Sequence, residues 1–240
     1  MSETAANICA FVLCGGLGTR LRSVLSDRPK SMAPVADRPF LELILRQLHE
    51  QGIRKVILGT GYRAEQIEQY FQSGADLGLS IEYSREDEPL GTGGAVKLAE
   101  KFLSDPVVVV NGDSYVEWSL SEARALQVER NAELVIILQA VSDVSRYGSV
   151  TIDDENRITE FVEKRARTGS GLINAGVYLL QKEIVAQLPA DRAISLEREV
   201  FPRLLGRPIY GMVSRGIFID IGIPEDLARA QTLLAPRPQT

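Results

Sequence analysis

Residues 8–13, Ile-Cys-Ala-Phe-Val-Leu, form a compact apolar run of strand length, and Gly15, Gly16 and Gly18 follow at once. A strand that ends in a glycine turn lets backbone N–H groups meet an anion at close range, because no Cβ stands in the way. Arg20, Arg28 and Lys30 then bring positive charge, with Pro29 and Pro34 punctuating the loop. The combination fits a polyphosphate cradle, and it also fits an ordinary turn carrying solvated cations. Two familiar phosphate loops are excluded. A G-x-G-x-x-G fingerprint started at Gly16 needs glycine where Leu21 stands, and no glycine here is followed by the lysine of a Walker A loop.

The chain beyond the loop alternates helix and strand signals. Phe40–Gln51 carries Leu41, Ile44, Leu45 and Leu48 at helical spacing and stops at Gly52. Strands are expected at 55–59, 80–84 and 107–110, with helices at 64–72 and 94–102. That order predicts an α/β fold, a Rossmann-like and mostly parallel sheet flanked by helices. The second half is richer in strands: 134–138, a hairpin of 148–152 and 158–163, then 172–180, 209–213 and 217–221. Helices are expected at 195–205 and 224–234. The expectation is one domain over 1–240, with a nucleotide half of about 1–130 and a small β-rich lobe within about 131–235.

Bulk numbers narrow the function. The 240 residues are 45% hydrophobic and 25% charged, which is enough apolar material for a sizeable core. A net charge of −5 argues against a general nucleic-acid binder, although a local basic cluster still holds an anion. Cys9 and Cys14 lie in and beside the first strand, so no disulfide framework is expected. With no signal peptide and no long apolar span, a cytoplasmic chain without membrane contact is expected.

Two acidic residues fall where strands end. Asp113 follows Val107–Val110 and Asn111-Gly112, and a carboxylate at the lip of a buried strand suits a hard cation such as Mg²⁺ or, equally, a helix cap. Asp220 lies inside Phe218-Ile219-Asp220-Ile221, where it is either a paired or metal-bound carboxylate or an exposed residue of an alternating edge strand. Glu88–Ala95 is a second glycine-rich segment, readable as a Pro-containing helix start. The lone histidine, His49, falls near a helix end and reads as a surface or capping residue.

The stretch Gly15-Gly16-Leu17-Gly18-Thr19-Arg20-Leu21, then Arg28-Pro29-Lys30, resembles the signature of the sugar-1-phosphate nucleotidyltransferases, the nucleoside-diphosphate-sugar pyrophosphorylases. Further fragments resemble that family in the same order, from residue 13 to about 228: Val108–Asp113, Glu88–Ala95, Tyr147-Gly148, Phe161–Lys164, Asn174–Tyr178 and Phe218–Leu227. The resemblance implies Asp113 and Asp220 as Mg²⁺ ligands and Arg20, Lys30 and Asp113 as the catalytic set. It implies nucleotide contacts from Leu13, Gly15, Gly16, Gly18, Thr19, Arg20, Leu90, Gly91, Gly94 and Asp113. It places Tyr147, Gly148, Glu163, Lys164, Asn174 and Gly176 at the sugar phosphate.

The activity so implied is nucleotidyl transfer from a nucleoside triphosphate to a sugar 1-phosphate, by a protein that resembles homodimeric relatives of its size. No hexapeptide-repeat β-helix is expected after the late motif. The compact form, with Leu25–Val35 and Phe218–Leu227 as they stand, looks most like the bacterial guanylyltransferases of D-glycero-α-D-manno-heptose 1-phosphate. GTP is thus the favoured nucleotide, in the service of surface glycan synthesis. Mannose-1-phosphate guanylyltransferases and glucose-1-phosphate thymidylyl- or uridylyltransferases are the alternatives. From another class, a non-catalytic nucleotide-sugar-sensing subunit would have lost Arg20, Lys30, Asp113 or Asp220, and all four are present.

Overall fold

The computed structural model describes residues 7–16, 18, 21, 25, 27–162 and 168–235. Thr19, Arg20, Glu163 and Lys164 lie outside the described residues. At the centre, nine strands form one mixed sheet among the described residues. Strand β1 (Cys9–Leu13) runs parallel between β4 (Lys55–Thr60) and β6 (Val107–Asn111), and β5 (Ser80–Arg85) extends the parallel set beyond β4. On the other side, β11 (Gly171–Leu180) enters antiparallel to β6, followed by β8 (Leu134–Val141) and its parallel partner β12 (Ile209–Ser214).

Both faces of this sheet are covered, as a sheet with a parallel core requires. Alternate residues sort accordingly. Ala10, Val12, Val56, Leu58, Val108 and Val110 face one core, and Cys9, Phe11, Ile57, Val107 and Val109 face the other. Helix α1 (Phe40–Glu50) buries Phe40, Leu41, Ile44, Leu45 and Leu48 in the first core. Gly52, at φ 91°, then turns the chain and donates to the His49 carbonyl. On the other face lie α3 (Gly91–Leu98), through Ala95 and Val96, and the segment carrying Leu196 and Phe201.

Several elements differ from the sequence expectation. Helix α3 begins at Gly91 rather than at residue 94, because the Gly93 and Gly94 N–H groups both donate to the Ile194 carbonyl, an anchor far away in sequence. The helix expected over 195–205 is a π-helical turn, Leu196–Val200, followed by the short α6 (Phe201–Arg203). Pro202 has no N–H to continue an i→i−4 ladder, which breaks the segment there. Strand β7 (Ser114–Val116) and α4 (Leu120–Glu129) were not anticipated. The start of α4 nonetheless carries a readable signal, Ser119-x-x-Glu122, in which Ser119 Oγ accepts from the Glu122 N–H. His49 sits in the last turn of α1, as expected for a lone histidine at a helix end.

Three features of this fold place the site. The carboxyl ends of β1, β4 and β6 lie side by side, with Leu13 opposite Asn111 and Gly59. Beyond Asn111 the chain forms β7, which pairs antiparallel with β13 (Phe218–Asp220) and sets Asp220 across from Ser114. The upstream half of β11 extends past the end of β6, and there it pairs with β9 (Ser149–Ile152) of the hairpin completed by β10 (Ile158–Val162).

The close packing of Phe11 on β4 gives a test of this core. An ideal Cβ on Gly59 would lie 2.5 Å from Phe11 Cζ, and Phe11 is fully buried. Gly59→Ala is therefore expected to destabilise the fold by about 1–3 kcal/mol through overpacking, read as a lower urea midpoint at unchanged slope. An unchanged midpoint would show that the ring can move aside freely.

Candidate active site

The end of β1 is built for close approach. Gly112 N–H donates to the Leu13 carbonyl at 3.0 Å, and a Cβ on Gly112 would lie 2.6 Å from that same oxygen. Only glycine therefore lets the end of β6 fold back against the end of β1. Gly18, at φ 56°, passes over Lys30, whose Cβ would lie 3.1 Å from a side chain there. Backbone at positive φ and a near-contact on the lysine stem both require the small residue.

Lys30 stands on the 3₁₀ turn Lys30–Met32 and is mostly buried. Its Nζ donates to Asp113 Oδ2 at 2.7 Å and lies 3.7 Å from Asp220 Oδ1. Ser114 Oγ lies 3.3 Å from Asp113 Oδ1 as a further donor. Burial works to raise the Asp113 carboxyl, but the Lys30 charge and these hydrogen bonds outweigh it and hold the group below its ordinary range. The β7–β13 ladder is what brings the two aspartates to one ammonium, and the Ile221 N–H adds a bond to the Asp113 carbonyl.

Two cavities meet here. The first, about 360 Å³, is lined by Leu13, Gly15, Gly16, Gly18, Gly91 and Asp113 from the expected nucleotide set, together with Lys30. Leu90 and Gly94 do not line it and pack on each other instead: a Cβ on Gly94 would meet the Leu90 side chain at 2.7 Å. The second, about 570 Å³, is lined by Tyr147, Gly148 and Asn174 from the expected sugar set, and by Asp220. Gly176 instead packs against Asn111, at φ 81° with room for no side chain, where β11 changes register between Asn174 and Tyr178. Asn111 and Asp113 line both cavities.

The rim of the second cavity is fixed by charge. Asp226, at the start of α7 (Pro224–Leu233), is buried and accepts from Arg146 Nη2 at 2.5 Å and Arg229 Nη1 at 3.0 Å. Arg146 lies against the Tyr147 ring, which meets Phe218 edge to face at 5.9 Å. The late segment after Asp220 is thereby tied to the loop that presents Tyr147.

Other cavity residues were not singled out from sequence. Glu86 and Thr92 line the first, and Ser195, Glu197 and Arg198 the second. Glu86 had a usable signal, since it directly follows β5 and so stands at the carboxyl end of a fourth parallel strand. Its Oε2 accepts from the Leu90 N–H at 2.8 Å, and burial raises its carboxyl pKa. Cys14 is buried in the first wall, and burial pushes its thiol well up.

The nucleotidyl transferase family matches residues 9–236 of this chain. A D-glycero-alpha-D-manno-heptose 1-phosphate guanylyltransferase of Campylobacter jejuni is 41% identical over 220 residues, covering 90% of this chain and 96% of that relative. A mannose-1-phosphate guanylyltransferase of Mycobacterium tuberculosis is 39% identical, over 95% of this chain and 66% of the relative. The crystal structure of HddC from Yersinia pseudotuberculosis complexed with GMP-PN is similar at a TM-score of 0.82 and 36% identity, covering 94% of this chain and 98% of that one. From the first strand to beyond the last helix, then, this chain belongs to the nucleotidyl transferase family.

Proposed function

We propose that the protein transfers a guanylyl group from GTP to D-glycero-α-D-manno-heptose 1-phosphate, releasing pyrophosphate. The observation that carries this reading is the meeting of two cavities at Asn111 and Asp113, with Lys30 at the junction. A nucleotide in the first and a sugar 1-phosphate in the second would bring the α-phosphorus and the attacking phosphate oxygen together. That oxygen bonds to the α-phosphorus as the bond to pyrophosphate breaks. The nucleophile is already ionised, so the chain needs no general base. Its task is to align two anions and screen their repulsion, which falls to Lys30 and to Arg20 on the departing pyrophosphate.

The donor set fits a divalent metal, because two carboxylates, Asp113 and Asp220, already converge on one cation, the Lys30 ammonium. No third His, Cys, Asp or Glu joins them among the described residues, which leaves further positions to phosphate oxygens and water, as Mg²⁺ prefers. When bound, Mg²⁺ supplies charge neutralisation at the phosphates. On the sugar side, Tyr147, Gly148 and Asn174 line the cavity, and Glu163 and Lys164 complete the proposed set. The proposed compartment is the cytoplasm; among the described residues no helix is long and apolar enough to cross a membrane.

Glu86 supports guanine. A carboxylate in the nucleotide cavity matches the two adjacent donors on the guanine edge, N1–H and N2–H. The uracil or thymine edge offers a single donor, N3–H, flanked by carbonyl oxygens, so one carboxylate oxygen would face a carbonyl. Glu86→Gln keeps an acceptor for the Leu90 N–H but replaces one acceptor by a donor. The preference for GTP over UTP, as a ratio of kcat/KM values, is expected to fall about tenfold or more. A ratio that does not move would remove Glu86 from base selection.

The direct test is pyrophosphate release with Mg²⁺, crossing GTP, UTP, dTTP, CTP and ATP against heptose-, mannose-, glucose- and N-acetylhexosamine-1-phosphates. The expected maximum is GTP with the manno-heptose phosphate. A maximum at mannose 1-phosphate would move the assignment to the other guanylyltransferase type, and nucleotide binding without turnover anywhere would favour a sensor. Lys30→Ala is expected to lower kcat by about 100-fold or more with a much smaller effect on folding. Removing the ammonium also takes one positive charge away from both carboxylates. Lys30→Met should accordingly bind Mn²⁺ more tightly than the wild type in the absence of nucleotide, as measured by the electron paramagnetic resonance of free Mn²⁺. Equal binding would mean that ammonium and metal do not compete for Asp113 and Asp220.

A further inference from the structure

Glu197 lies on the π-helical turn and lines the second cavity. Its Oε2 accepts from Thr92 Oγ1 at 2.7 Å and Ser195 Oγ at 3.0 Å, and its Oε1 accepts from the Tyr178 hydroxyl at 3.1 Å. Thr92 lines the first cavity and not the second. Tyr178 is fully buried, and its oxygen accepts from Asn174 Nδ2 at 3.0 Å, while Asn174 Oδ1 accepts from the Gly176 N–H at 2.9 Å. One run of hydrogen bonds therefore links Thr92, Glu197, Tyr178 and Asn174, from one cavity to the other.

The direction of each bond is forced. Thr92 Oγ1 accepts from the Leu196 N–H at 2.8 Å, and Ser195 Oγ accepts from the Arg198 N–H at 3.2 Å. Tyr178 accepts from Asn174. All three hydroxyls have their own protons left to give, and all three give them to Glu197. Burial and the Glu197 charge push the Tyr178 phenol well above its ordinary range, so it stays a neutral donor. Three donors around one group call for a side chain that only accepts, which a carboxylate is and an amide is not. With both ends of its amide engaged inside the protein, Asn174 is held in one orientation in the cavity wall.

We propose that Glu197 is a positioning residue for the sugar phosphate: through Tyr178 it fixes the Asn174 amide, and through Thr92 it ties that orientation to the nucleotide cavity, so the two substrates bind with coupled affinities. The coupling deepens the functional reading above and rests on it, since it takes the second cavity as the sugar-phosphate site. Backbone bonds keep the link short: the Ile194 N–H donates to the Leu90 carbonyl and the Gly93 N–H donates to the Ile194 carbonyl, which holds the segment leading into Glu197 against the turn that carries Thr92.

Steady-state kinetics with GTP and the sugar 1-phosphate that the wild type turns over best provide the test. Glu197→Gln is expected to raise the KM for the sugar phosphate about tenfold, with kcat and the KM for GTP moving less than about threefold. Thr92→Val changes a residue that lines the first cavity and not the second, yet it should also raise the sugar-phosphate KM. Thr92→Ser, which keeps the hydroxyl, should restore that KM. The Glu197→Gln, Thr92→Val double variant should be no worse than Glu197→Gln alone. An unchanged sugar-phosphate KM in Glu197→Gln would overturn the proposal. So would a Thr92→Val effect confined to GTP, or strict additivity of the two substitutions. Should Glu197→Gln fail to fold, the Thr92 pair decides alone. A wild-type chain that turns over no sugar phosphate would instead overturn the functional reading, and this inference with it.

Discussion

Two carboxylates held around one ammonium are the constraint on which this site depends. Asp113 and Asp220 come from distant parts of the chain, and like charges brought together at a strand end repel unless a cation stands between them. Lys30 supplies it, and three local devices exist to make that possible. The β7–β13 ladder aligns the aspartates, Gly112 lets the end of β6 fold against β1, and Gly18 clears the lysine stem. The same arrangement explains why the proposed chemistry uses charge and alignment rather than proton transfer, since the groups at the junction of the two cavities are two aspartates and a lysine.

Much of this was legible in the sequence because the informative residues are local. The apolar run of β1, the glycines after it and the valines before Asn111-Gly112-Asp113 each announce a strand and its end within a few residues. The alternation of Val107 to Val110 between two cores follows from strand geometry alone. What stayed hidden depends on long-range contact. Glu86 stands among other acids in Arg85–Glu88, and only its place after β5 distinguishes it. Glu197 meets Thr92 and Tyr178, which no periodicity links to it. The segment after Ser195 has helical spacing, and Pro202 together with the docking of Ile194 onto α3 turns it into something shorter.

The start of α3 illustrates how a low-propensity sequence becomes helix. Gly91, Gly93 and Gly94 are poor helix formers in isolation. Here side chains would collide with the Ile194 backbone at Gly91 and with the Ile194 side chain at Gly93. Tertiary contact thus selects glycine where helix propensity disfavours it, and that contact also holds Gly91 and Thr92 of the first cavity beside Ser195 and Glu197 of the second. Local and global preferences disagree at this point because the site requires it.

Strand β11 has a consequence of another kind. It is continuous from the hairpin end of the sheet, through the register change at Asn174–Tyr178, to its pairing with β6. The β9–β10 hairpin is attached to its upstream end, beyond the part that pairs with β6. Such an attachment makes the lobe a modular edge: its length and side chains can be rewritten by substitution or insertion while the charged centre keeps its geometry. Under the proposed function, one scaffold can in this way diversify over acceptors without rebuilding the part assigned to the phosphates.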